Sequence, residues 1–240
     1  MEYGVVTLPQ RHVVSFQIRF LAGVSCEPAD RLGLARLVEE TIDKATQRFT
    51  GRQLSDAFDA IGAGRGSGTG RETMTFNCTV LPEHFERAVE LHAEILRAPT
   101  FPQSQVQVAV ELAKQELFAL QDDPQALADK LMGPLAYGPT LGRHSLGELE
   151  TLGRITRDDL EAFWRMYFNA GRMMFAIAGP VESARVVDVL SRSFDGFGDK
   201  QRRGRESYPL TFTPVTTHHH KDLKQQQIAI CWPGVEATHK

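Results

Sequence analysis

The chain has 240 residues, 42% apolar and 24% charged, with 27 Lys and Arg against 30 Asp and Glu. This composition excludes a mostly disordered, collagen-like, coiled-coil or disulfide-scaffold protein, and a formal charge of −3 gives no general reason to bind nucleic acid or an anionic membrane. The length fits neither one average domain nor two, and it supplies volume for a core without disulfides or metal staples.

His12 to Ala22 mixes β-branched and aromatic residues and reads as a strand. After a break at Pro28, with Asp30 placed to cap, Leu32 to Ala45 carries Leu34, Leu37, Val38 and Ile42 at helical spacing. Thr50 to Ile61 is a shorter helix with Leu54, Phe58 and Ile61 on its apolar face. Gly62 to Gly70 is glycine-dense but has no G-K-[ST], so it is no phosphate loop; it reads as a glycine-weakened strand or turn beside the alternating strand Thr73 to Val80.

Glu83 to Leu96 and Gln103 to Leu120 are amphipathic helices. Pro124 sits at a first turn that continues through Met132, and Gly133 to Gly147 reads as a loop with two prolines. Thr156 caps a helix reaching Phe168, with Asp158 and Asp159 in its first turn. Met173 to Ala178 is a buried strand, and Val181 to Ser193 is a helix. Phe197 to His220 is linker-like, with the basic cluster Lys200 to Arg205 read as solvated, and Gln226 to Trp232 is one more strand. Helix pairs between strands argue for an α+β fold, a mostly antiparallel sheet covered on one face by helices.

The three cysteines, Cys26, Cys78 and Cys231, lie far apart without a CxxC pair and read as small buried apolar residues. No apolar run of about 18 residues appears, so no membrane span is expected. Met1 to Gly4 lacks the start of a signal peptide; as given the chain reads as cytoplasmic, and as periplasmic or organellar if a targeting segment was removed. His84 and His92 are eight apart on one helix and cannot share a metal; they read as packed or surface residues. His144 has no partner nearby in sequence, and His218 to His220 read as a polar tract.

Gly33 to Glu40 (GLARLVEE) resembles the motif region of the insulinase-like zinc peptidases, the family of the mitochondrial processing peptidases, whose pattern is G-x-A-H-x-x-E-H. The resemblance runs from about residue 10 to 232. It rests also on Ala60 to Ala63 with Thr73 to Val80, on Leu96 to Phe101, on Asp122-Asp123-Pro124, on Leu141-Gly142-Arg143 with Gly147, and on Phe163 to Gly179. It implies a processing-peptidase-like fold with one strand paired in parallel. It also implies an N-terminal domain over residues 1–200, a linker over 201–223, and the first strand of a truncated second homologous domain over 224–240.

The departures bear on function. Arg36 and Glu40 stand where the two histidine ligands belong, and Glu39 matches the general base. Glu116, eight residues before Pro124, matches the third ligand. Arg36 is a permanent cation that only donates, so the resemblance implies a cluster of Arg36 with Glu39, Glu40 and Glu116 where zinc sits in active relatives. The expected cofactor is therefore none, and the expected function is a catalytically inactive domain acting as a substrate-binding or structural partner. Its partner would be an active zinc peptidase subunit, as a heterodimer, or its own C-terminal homologous domain, and an extended peptide is its expected ligand. Two alternatives stay open: an active metallopeptidase with unusual ligands such as Glu39, Glu40 and Glu116, and a non-enzymatic assembly or core subunit.

Overall fold

The computed structural model describes residues 1–235 except 202, 205, 209–211 and 222–225. Strands β1 (Glu2–Thr7), β2 (Val14–Phe20), β3 (Gly64–Thr69), β4 (Met74–Val80) and β5 (Met173–Gly179) form one sheet in the order β1-β5-β2-β4-β3. β1 runs parallel to β5, and the other three pairings are antiparallel. Alternation decides the faces: Val14, Phe16, Ile18 and Phe20 are buried, while Ser15 and Arg19 between them are exposed.

Eight helices accompany the sheet among the described residues: α1 (Leu34–Thr41), α2 (Gly51–Asp59), α3 (Phe85–Arg97), α4 (Gln103–Gln121), α5 (Pro124–Leu141), α6 (Leu149–Leu152), α7 (Arg157–Tyr167) and α8 (Ser183–Ser193). Capping boxes start α2, with Thr50 and Gln53, and α7, with Thr156 and Asp159. Asp123 accepts from the main-chain N–H groups of Gln125 and Ala126 at 3.0 Å, so Asp122-Asp123-Pro124 is the capped start of α5. The buried face of β2 meets the helices through aromatic contacts. Phe16 stacks on Phe175 at 5.4 Å and meets Phe85 and His92 edge-on. Each such buried phenylalanine contributes about 2–3 kcal/mol.

The α+β architecture expected from the sequence is the one observed, the parallel pair included, and four local features differ. β1 was not expected: only Val5 of its six residues is even half-buried, so it carries little apolar signal and takes its hydrogen bonds from β5. Helix α5 passes through Pro134 before Gly138, at φ 74°, breaks it, and Pro139 opens the short resumption. Cys231 is exposed and Cys26 half-buried; Cys78 is buried. Residues 226–235 carry neither helix nor strand, and Ile228, Ile230 and Trp232 are exposed. A lone strand there has no neighbour to pair its main-chain groups.

After α8, Phe194 and Phe197 close the core, and the described residues of 201–223 carry no regular element. In the basic cluster, Arg203 pairs with Asp199 at 3.2 Å, and residues 202 and 205 lie outside the described ones.

Candidate functional site

The site is built on α1. Leu34, Leu37 and Val38 face the core, which turns Arg36, Glu39 and Glu40 to the half-exposed side of the helix. Gly33 starts the helix at φ 97°, and a Cβ there would stand 2.8 Å from the Leu152 side chain. Asp30, expected as the cap, bonds its neighbour Arg31 instead. The helix start is met by Glu27, 4% exposed, whose carboxylate accepts from the N–H groups of Gly33 at 3.2 Å and Ala35 at 2.9 Å. Arg143 braces it by donating to the Glu27 carbonyl at 2.6 Å, and Gly147 packs against the backbone of Leu32 and Gly33. The Leu141-Gly142-Arg143 loop with Gly147 thus buttresses α1. Burial pushes the Glu27 carboxyl up to about 8, against the two N–H donors and the Arg143 charge.

Arg36 donates from Nε to Glu40 at 2.7 Å and from Nη2 to Glu116 of α4 at 2.8 Å. The i, i+4 spacing delivers Glu40, and α4 packing beside α1 delivers Glu116. Burial works against the Arg36 cation, but Glu40 and then Glu116 outweigh it and raise its pKa. The cluster is half open to solvent, with side-chain exposures of 24%, 29% and 49% for Arg36, Glu40 and Glu116. It therefore contributes on the order of 1 kcal/mol to stability.

Glu39 does not join these three through a hydrogen bond. Its carboxylate takes hydrogen bonds from the hydroxyls of Ser67, a short contact, and Thr69 at 3.4 Å, both on β3. Burial raises its pKa, and the Glu40 charge adds to that. Four residues on, Asp43 accepts from Lys44 and Arg65 at 2.8 Å each. Although burial opposes it, these two cations hold the Asp43 carboxyl below its ordinary value. Arg65 also lies over the Phe58 ring at 4.7 Å.

A metal at this place needs three N, S or O donors and an open position. Arg36 has no lone pair to give, and Glu40 and Glu116 are committed to its guanidinium. These residues do not fit a catalytic zinc. Among the described residues, no group of three or more His, Cys, Asp and Glu is gathered for a metal.

Beside Glu39, a cavity of about 340 Å³ opens between β3 and helices α1 to α3, with Ile42, Phe76 and His92 among its walls. His92, 4% exposed, donates from Nδ1 to the Ala88 carbonyl at 2.8 Å, and burial pushes its pKa down to about 4. The folded protein holds this ring neutral while the unfolded chain protonates near 6.5. The stability this adds is complete above about pH 6.5 and is lost as the pH falls toward 4, by about 2–3 kcal/mol over that interval. Denaturant titrations of the parent and of H92F at neutral and acid pH check this. The variant should lose about 2–3 kcal/mol less over that interval, and equal losses would count against it.

Arg36, Glu40 and Glu116, brought together as the sequence implied, are joined by two features it did not reveal. One is Glu27, which no local pattern marks. The other is the pair Ser67 and Thr69, hidden in a glycine-rich segment. His144 bonds the Leu146 N–H and feels the Lys130 and Arg36 charges, which lower its pKa after burial does. His218 to His220 are exposed.

The family model "Insulinase (Peptidase family M16)" matches residues 5–148, and "Peptidase M16 inactive domain" matches 154–240. β5 lies in the second match yet pairs with β1 and β2 of the first, so both matches share one sheet. An "Uncharacterized zinc protease" of Rickettsia felis is 25% identical over 96% of this chain and 56% of its own length. A "Probable mitochondrial-processing peptidase subunit beta" of Arabidopsis thaliana is 28% identical over 90% of this chain and 42% of its own. The crystal structure of a peptidase M16 inactive domain from Pseudomonas fluorescens superposes with a TM-score of 0.80 at 19% identity, covering 87% of this chain and 51% of that one. The periplasmic protease PqqL from Escherichia coli superposes with a TM-score of 0.77 at 17% identity, over 87% of this chain and 24% of that one. The chain spans about half the length of the curated relatives it matches.

Proposed function

Because this chain belongs to the insulinase family of peptidases, family M16, we propose that it is the non-catalytic half of a two-part peptidase, holding extended peptide for an active half. The observation that carries this reading is Arg36, whose guanidinium joins Glu40 and Glu116 at 2.7 and 2.8 Å, a place where a metal needs donors of lone pairs.

Two further observations support it. Among the described residues β3 is a sheet edge with one neighbour, β4, which leaves its outer main-chain groups to pair with an extended peptide. Helix α4 leaves Val108, Leu112 and Phe118 exposed, and α5 leaves Leu131, Leu135 and Tyr137, apolar surface suited to a partner. In this reading the partner is an active M16-like subunit or a homologous C-terminal unit of the same polypeptide, to which residues 224–240 would contribute a first strand.

The test is metal content together with peptide binding and hydrolysis on the purified protein. The expected result is substoichiometric zinc, saturable binding of an unstructured peptide, and no hydrolysis sensitive to chelator. Stoichiometric zinc with hydrolysis abolished by chelator would overturn the proposal in favour of an active metallopeptidase.

A further inference from the structure

We propose that Glu39 is a positioning residue that fastens the edge strand β3, rather than a general base. This deepens the peptide-docking reading above, because β3 is the edge that reading uses, but it is tested without any peptide.

β3 has the sequence Gly64-Arg65-Gly66-Ser67-Gly68-Thr69. Its register with β4 puts Gly64, Gly66 and Gly68 opposite Thr79, Asn77 and Thr75, and Arg65, Ser67 and Thr69 opposite Cys78, Phe76 and Met74. Cys78, Phe76 and Met74 are buried on the helix-covered face, so every side chain larger than hydrogen on β3 faces the helices. The other face of the strand is bare backbone. Three glycines at an edge, with one neighbouring strand among the described residues and none of its own side chains on the open face, make a strand that is weak by itself.

Each helix-facing side chain of that strand is held by a carboxylate from α1 or the residues just after it. Arg65 pairs with Asp43 at 2.8 Å, Ser67 donates to one oxygen of Glu39, and Thr69 donates to the other at 3.4 Å. Glu39 and Asp43 are one helical turn apart, about 6 Å along the axis. Alternate residues of a strand are about 6.6 Å apart. The two carboxylates therefore match the spacing of the strand's one-sided side chains. Glu39 gives both its oxygens to β3 and makes no hydrogen bond to Arg36, Glu40 or Glu116. Its place in the motif is retained, and its contacts are those of a clamp.

Hydrogen exchange of the amides that pair β3 with β4 is the measurement. E39A should speed exchange over residues 64–69 about tenfold or more, equivalent to about 1.4 kcal/mol of local opening, and leave β1 and β5 unchanged. E39Q keeps one oxygen to accept a hydroxyl and should retain most of the protection, which a general-base role would not predict. The S67A/T69V pair should reproduce E39A, and adding it to E39A should change little. The proposal is overturned if E39A leaves β3 exchange unaltered, or if E39Q is as damaging as E39A while S67A/T69V is silent. Should the exchange pattern hold while the parent protein binds no extended peptide, the clamp stands and the docking reading falls.

Discussion

The R36H/E40H variant is expected to take up one zinc ion per chain where the parent takes up substoichiometric zinc. The substitutions place two imidazoles at i and i+4 on the exposed side of α1, one turn apart and on one face. Glu116 already reaches the end of the residue-36 side chain at 2.8 Å, so α4 needs no rearrangement to supply a third donor. Removing the guanidinium takes away the cation that repels a metal, and water completes a tetrahedral site. A dissociation constant of about 1 µM or tighter is expected, about −8 kcal/mol. Titration with zinc, read by calorimetry and metal analysis, checks it. A folded double variant that takes up no zinc at micromolar concentration would show that the scaffold no longer matches the family's site. Hydrolysis is expected to stay slow in this variant, because Glu39 is bonded to Ser67 and Thr69.

Replacing Glu27 is expected to have the largest effect on stability. E27A strips two N–H groups at the buried start of α1 of their acceptor and leaves a cavity, at a cost of about 2–4 kcal/mol. E27Q keeps an acceptor and should cost about 1 kcal/mol, but it should change the pH response. The folded protein holds the Glu27 proton up to about pH 8, while the unfolded chain releases it near 4.5. The stability it contributes is therefore complete below about pH 4.5 and is lost as the pH rises toward 8, at up to about 1.4 kcal/mol per unit. Denaturant midpoints measured between about pH 5 and 8 should fall with pH in the parent and less in E27Q. Identical slopes in the two proteins would refute the assignment. His92 acts in the opposite direction below about pH 6.5, and H92F separates the two.

Much of the architecture is legible because it repeats a period. The alternation in Val14 to Phe20 identifies a half-buried strand, and Leu34, Leu37 and Val38 identify the inner face of α1. The same helical period puts Arg36 and Glu40 side by side, and the resemblance to the insulinase family, counted back from Pro124, points to Glu116. Turn and cap chemistry is legible at Thr50, Asp123 and Thr156, where a short polar side chain meets the next N–H groups of its own chain. It misleads at Asp30 because the acceptor for α1 comes from Glu27, which folds back from outside the local pattern.

The residue types at positions 36, 39, 40 and 116 make these a guanidinium and three carboxylates, and no arrangement gives arginine a lone pair. They do not dictate which carboxylates it meets. Pairing of β3 with β4 turns Ser67 and Thr69 toward α1, and their hydroxyls draw Glu39 away from the cluster, leaving Glu40 and Glu116 on Arg36. β1 is a strand for a similar reason: its partner β5 lies far along the chain, and the hydrogen bonds that make it a strand exist only once the two are brought together. Contacts made within one turn or one alternation are written locally, and those made across the sheet depend on where distant residues arrive.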